Sequence, residues 1–170
     1  MTTDLPDDLF TVQLEDPDTG EIRETLSFER SPTVLLNFAA GRFARYGVPI
    51  FAEKLGLPAM DWRMLVMFTQ EPGATAARAC ETTGFDKGAI SRSIHRLEKA
   101  GHVRSGDLHS NGRSRGWYLT EAGKQLHDKG LKISIERQKD LFRGFEMHEI
   151  ETLCDLLRRF LVNLDDKDRI

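Results

Sequence analysis

Between Ala74 and Gly101 the apolar and polar positions follow a helical period in two short blocks, about Ala74–Thr82 and Lys87–Ala100, joined at Thr83-Gly84-Phe85. The second block separates into two faces. Ile90, Ile94 and Leu97 form an apolar stripe at i, i+4 and i+7, and Gly88, Ser91, Arg92, His95, Arg96 and Lys99 lie opposite, with Asp86 placed as the helix cap. After the Gly101 stop, the runs His102–Leu108 and Arg115–Thr120 carry strand-forming residues around a tip that holds Asn111-Gly112, a strong hairpin signal. Helix, turn, helix and hairpin in that order predict a winged helix-turn-helix.

The flanking stretches read as further helices. Ser31-Pro32 starts one, expected to kink or break at Gly47-Val48-Pro49 before Ile50–Leu57 resumes it. Within it Phe38, Arg42, Phe43 and Tyr46 form an aromatic stripe with a cation. A third segment, Met60–Gly73, opens on Asp61 as its expected cap and offers Trp62, Leu65, Val66 and Phe68 to the underside of the winged helix. A long helix follows Thr120, its expected cap, and runs to near Gly144. The last helix, about Met147–Leu164, stacks Ile150, Leu153, Leu157, Phe160, Leu161 and Leu164 on one stripe, which must bury itself against something. The N-terminal residues Leu9–Glu15 and Glu21–Glu29 alternate around the turn Asp16–Gly20, which fits a hairpin or an unstructured arm. The fold class is therefore mainly α with a small β wing. The expected divisions are an acidic extension (1–30), a helical dimerisation region (31–59 and 124–170) and the winged helix (60–123).

Charge changes this picture only when it is located. The formal net charge of −3 argues against a nucleic-acid partner. Yet Ala74–Trp117 holds eight Lys/Arg against four Asp/Glu, while residues 1–30 hold two basic and nine acidic side chains, so an acidic total hides a basic module. Of the 170 residues, 39% are hydrophobic and 30% charged, ordinary for a globular protein. Cys80 and Cys154 lie far apart, and neither a secretory signal nor a membrane-spanning run is present, so a cytoplasmic protein with free thiols is expected.

The run Asp86–Arg104 followed by Asn111–Gly123 resembles the recognition helix and wing of the MarR family of bacterial transcription regulators. The helix pattern, the Gly101 stop, the wing arginine Arg113 and the closing Leu119, Thr120 and Gly123 all have counterparts there. Where the family usually carries Asp two residues before the wing arginine, this chain has Asn111, which can still accept a hydrogen bond. The resemblance implies a homodimer formed by the terminal helices, with two recognition helices facing successive major grooves about 34–36 Å apart on a pseudo-palindromic site. It also implies a ligand pocket between the dimerisation helices and the winged domain, which often takes phenolic acids or aromatic carboxylates.

The candidate DNA-binding residues are Lys87, Gly88, Ser91, Arg92, His95, Arg96 and Lys99 on the reading helix, with Arg113 and Arg115 on the wing. Arginine, lysine, serine and histidine reach base edges or phosphates, and glycine admits a close backbone. A charged face alone equally describes a solvated helix; the arginine-bearing hairpin after it favours DNA. The candidate effector residues are Arg42, Tyr46, Trp62 and Arg63, because a guanidinium pairs bidentately with a carboxylate and rings sandwich an aromatic ligand. No nucleophile elbow, phosphate loop, dinucleotide fingerprint or zinc spacing occurs, and the histidines are scattered, so no enzyme, metal or cofactor is expected. The expected function is a repressor released by a small aromatic acid. The alternatives are a winged helix that binds protein, or a metal- or redox-sensing regulator.

Overall fold

A computed structural model describes residues 5–108 and 115–166. The N-terminal extension is a hairpin, β1 (Thr11–Glu15) antiparallel to β2 (Ile22–Leu26), preceded by a 3-10 turn at Asp7–Leu9. Asp16 closes its turn by accepting the amides of Asp18 and Thr19, which hold its carboxyl below the ordinary range. Both strands stand largely clear of the other elements and expose Leu14, Ile22 and Leu26.

Ser31 and Pro32 begin α1 (Pro32–Leu55) as expected, but the interruption predicted at Pro49 is absent. Proline costs the helix the hydrogen bond its missing N–H would have made. Burial of Phe51 just beyond it holds the last turn in place, and the helix ends instead at Gly56, in the left-handed region at φ 66°.

The helix α2 (Ala59–Gln70) begins two residues before Asp61, behind Pro58. Asp61 is therefore not a cap but a buried residue in the first turn. On the same helix Trp62, Met64, Leu65, Met67 and Phe68 are buried, and Val66 packs against the core.

Helices α3 (Ala76–Thr83) and α4 (Lys87–Lys99) follow, capped by Thr75 and Asp86, whose side chains accept the amides of Arg78 and Ala89. Ile90, Ile94 and Leu97 face the core with Phe68, Met64 and Leu65, so the apolar stripe read from the sequence is the buried face.

Strands β3 (Val103–Leu108) and β4 (Arg115–Leu119) form the wing, with Val103 opposite Leu119 and an irregularity between Ser105 and Leu108. Backbone bonds from the Gly73 amide to Trp117 and from the Trp117 amide to Ala74 tie β4 to the loop after α2. Gly116 allows this approach, because a Cβ there would stand 2.6 Å from the Gly73 carbonyl oxygen.

Thr120 caps α5 (Glu121–Leu141), which stops before Gly144, and α6 (Met147–Asp165) starts with a capping box between Glu146 and Glu149. No residue of α6 is buried. With the N-terminal half of α1, it leaves Leu35, Leu36, Phe38, Leu153, Leu157 and Leu161 exposed. Among the described residues, no helix is long and apolar enough to cross a membrane.

Candidate nucleic-acid interface and the adjoining pocket

The reading face of α4 is set from behind. Buried Ile90, Ile94 and Leu97 fix its rotation, so Lys87, Ser91, Arg92, His95, Arg96 and Lys99 are exposed on the other side. Gly88 lies beneath the Arg92 side chain; a Cβ there would meet Arg92 Nη1 and Asp86 Oδ1, each at 3.1 Å.

A polar grip missing from the sequence reading completes this fixation. The buried Asp61 carboxylate accepts the Ser93 hydroxyl at 2.8 Å and Arg96 Nε at 3.0 Å, with a second Arg96 nitrogen also bonded. The hydrogen bond from Arg96 to Asp61 raises the guanidinium's pKa above its ordinary value. Arg96, expected on the DNA, is thus ion-paired to α2 with about half of its side chain exposed. Ser93 is itself fully buried.

On the wing, Arg115 is exposed at the start of β4, and Arg104 lies over the Tyr118 ring at 5.1 Å. Arg113, Asn111 and the rest of the predicted tip lie outside the described residues. The described basic side chains Lys87, Arg92, Lys99, Arg104 and Arg115 all belong to α4 or the hairpin after it, which concentrates positive charge on one unit of an acidic chain.

Behind the helix-turn-helix lies a cavity of about 410 Å³, within the usual range for a small-molecule site. Its walls are Phe43, Ala44 and Phe51 from α1; Ala59, Trp62, Arg63, Val66, Met67 and Gln70 from α2; Thr82 and Thr83 from α3; and Leu131, Ser134 and Arg137 from α5. Of the four effector candidates, Trp62 and Arg63 line it. Arg42 and Tyr46 are exposed elsewhere on α1, Tyr46 at 72%. A slip of one helical position explains the miss. The α1 residue facing the cavity is Phe43, which stands next to Arg42 but about 100° around the helix.

Arg137 is the cation that the sequence reading omitted. It donates to the Phe43 carbonyl at 2.9 Å and lies 4.0 Å over the Phe43 ring. Burial lowers its pKa, and the charge of Arg63 lowers it further. Two cations therefore share an apolar cavity whose lining has no carboxylate, a setting that favours an incoming anion. Trp62 stacks on Phe51 (centroids 5.2 Å) and on His127 (5.5 Å), which fixes the indole at the cavity wall. Among the described residues no group of His, Cys, Asp or Glu could hold a metal ion, and Cys80 and Cys154 are unbridged.

Residues 55–114 match the model of the MarR family. The fold is similar to that of a MarR/EmrR family transcriptional regulator from Acinetobacter sp. ADP1, with a TM-score of 0.74 and 26% identity over 82% of this chain and 99% of that one. It also resembles S. aureus MepR in its DNA complex, with a TM-score of 0.66 and 16% identity over 81% of this chain and 99% of that one. PcaV from Streptomyces coelicolor, in complex with its natural ligand, gives a TM-score of 0.64 and 20% identity over 81% and 96%. The last two are likenesses of fold alone. No curated protein matches. The sequence thus matches the MarR family over residues 55–114, and the described residues, winged helix-turn-helix included, have the fold of the MarR transcription regulators.

Proposed function

We propose that the protein regulates transcription as a homodimer on a pseudo-palindromic duplex, and that it is a repressor whose operator affinity falls when a small aromatic or phenolic acid enters the pocket. The observation that carries the DNA half is the exposed row Lys87, Ser91, Arg92, His95 and Lys99 on a helix whose opposite face is buried. In this reading those side chains meet base edges and phosphates in the major groove, Gly88 admits the backbone, and Arg113 and Arg115 serve the flanking minor groove or phosphates. Arg96 positions the helix through Asp61. That MepR, of the same fold, is found on DNA supports the assignment.

Surface area supports the dimer. The single chain exposes 13031 Å², whereas a compact monomer of 19.3 kDa exposes about 8,500 Å². Part of the surplus belongs to the N-terminal hairpin, which stands clear of the other elements, and exposed apolar residues on α1 and α6 supply the chemistry of an interface. Arg63 and Arg137 beside Phe43, Phe51 and Trp62 support an aromatic anion as the ligand, and PcaV, of the same fold, is found with its natural ligand. The ligand would act by population shift, preferring a spacing of the two reading helices that does not match the operator.

Fluorescence anisotropy on a duplex from upstream of the coding sequence, across a salt series and against a scrambled duplex, tests the DNA half. Selective binding that weakens steeply with salt is expected, because each neutralised phosphate releases counterions. Salt-insensitive or unselective contact, repeated with a randomised duplex pool, would refute it. A panel of aromatic acids that neither binds nor weakens DNA affinity would refute the ligand half alone.

A further inference from the structure

We propose that Arg63 links the pocket to the DNA-reading helix: an anion that pairs with Arg63 draws its guanidinium off the Phe85 ring and releases the turn that positions the first residues of α4. The proposal rests on the reading of the pocket as an anion site.

Arg63 stands on the cavity wall, and its guanidinium carbon lies 5.0 Å from the centroid of Phe85. Phe85 occupies the turn of the helix-turn-helix. It lies between Gly84, the left-handed stop of α3 at φ 69°, and Asp86, the cap of α4. The cavity wall reaches the same turn through Thr82 and Thr83. One guanidinium therefore faces both the space a ligand would fill and the residue joining the two helices.

The two pocket arginines are held differently. Arg137 has a directional hydrogen bond to the Phe43 backbone as well as the ring beneath it. Arg63 has no hydrogen bond or ion pair among the described residues and is held by the Phe85 ring. A cation over an aromatic face at a partly exposed site is worth about two- to five-fold in an equilibrium constant. A charge-assisted hydrogen bond to a carboxylate is worth more than about ten-fold, so a carboxylate within reach takes the guanidinium.

Release of Phe85 frees the turn and the first residues of α4, ahead of buried Ile90, and not its middle. Asp61, two residues before Arg63 on α2, still holds Ser93 and Arg96. The first turn of the helix can then shift ahead of that grip, which moves Lys87 and Gly88 most.

The test uses benzoate, the simplest aromatic carboxylate, with the full-length protein and its Phe85→Leu variant, which keeps an apolar side chain without a ring. Phe85→Leu is expected to bind benzoate about two- to five-fold tighter, because Arg63 no longer leaves a ring to reach it. The ratio of DNA affinities without and with benzoate, above one in the wild type, is expected to fall to about one. An unchanged benzoate Kd with an unchanged ratio would overturn the proposal.

A second measurement needs no ligand. Hydrogen exchange at the amides of residues 83–86 should accelerate to the same extent in Phe85→Leu and in Arg63→Gln. If Arg63→Gln leaves their protection as in the wild type, the link is overturned. If benzoate does not bind the wild type while both variants accelerate exchange, the anion reading of the pocket fails and the link from Arg63 to the turn stands.

Discussion

Asp61 gives the sharpest test of how the reading helix is held, because a positioning role and a direct DNA role for Arg96 predict opposite signs. Asp61→Asn keeps the shape of the side chain and removes its charge. One amide oxygen then replaces a carboxylate that accepts from Ser93 and from two nitrogens of Arg96. Loss of a charge-assisted hydrogen bond costs about 1.5–3 kcal/mol. Arg96 is about half exposed and regains water, so about 1–2 kcal/mol is expected. Arg96→Met should cost more, about 2–4 kcal/mol, because it leaves a buried carboxylate with the Ser93 hydroxyl as its remaining partner. In the double variant neither charge is stranded, so urea denaturation of all four proteins should give a coupling above about 1 kcal/mol. DNA affinity separates the roles. Removing a negative charge behind a DNA-binding face should strengthen binding if charge alone matters, and freeing Arg96 to reach DNA would strengthen it further. A positioning role predicts weaker, less selective binding by Asp61→Asn despite its more positive charge. Coupling below about 0.5 kcal/mol together with tighter DNA binding would refute the reasoning.

The first turn of α5 and a surface ion pair offer two further checks. A Cβ on Gly123 would lie 1.9 Å from the His102 carbonyl oxygen, a backbone atom that cannot step aside; Gly123→Ala should therefore lower stability by about 3 kcal/mol or more, read as a lower Tm. Hydrogen bonds from Arg78 hold the exposed Glu71 carboxyl below its ordinary pKa. The pair thus contributes stability above the unfolded-state pKa, which is lost as pH falls through the folded one. Comparison with Arg78→Gln by urea titration should show a difference near neutrality that shrinks as pH falls below the ordinary glutamate range.

How much could be read from the sequence followed the range of each interaction. The reading helix was legible because its evidence is local: an Asp86 cap, an apolar stripe and a polar face all lie within fifteen residues. The role of Asp61 was not. An aspartate just before an apolar run is an ordinary cap signal, but Pro58 starts the helix earlier and the true partners lie 32 and 35 residues away. Pro49 was misjudged because propensity counts the lost hydrogen bond and not the tertiary burial of Phe51 beyond it. The pocket was half legible. Trp62 and Arg63 were found on the helix whose core face was clear, while Arg137 sits in a long, mostly polar helix where no local pattern marks one cation among several.

What the sequence could least reveal is why Trp62 can form a wall at all, and this yields a prediction that separates the pocket from the DNA surface. A Cβ on Gly130 would stand 2.4 Å from Trp62 Cζ3 and 2.6 Å from Cε3, so α5 passes the indole at a distance that only glycine permits. Gly130→Ala must push the ring. Phe51 is stacked against it at an interplanar angle of 14° and is itself buried, and His127 stacks on it as well. The cavity is the direction left open. Overpacking of this kind costs about 1–3 kcal/mol, partly offset by the better helix propensity of alanine, and it narrows the space that a planar ligand would fill. Binding of aromatic acids by Gly130→Ala should therefore weaken more than ten-fold while ligand-free DNA affinity stays within about two-fold, because Lys87, Ser91, Arg92 and the Asp61 grip lie on other elements. Equal losses in both would mean that the change had disturbed the winged helix as a whole, and the wall would then have no separate role in ligand binding.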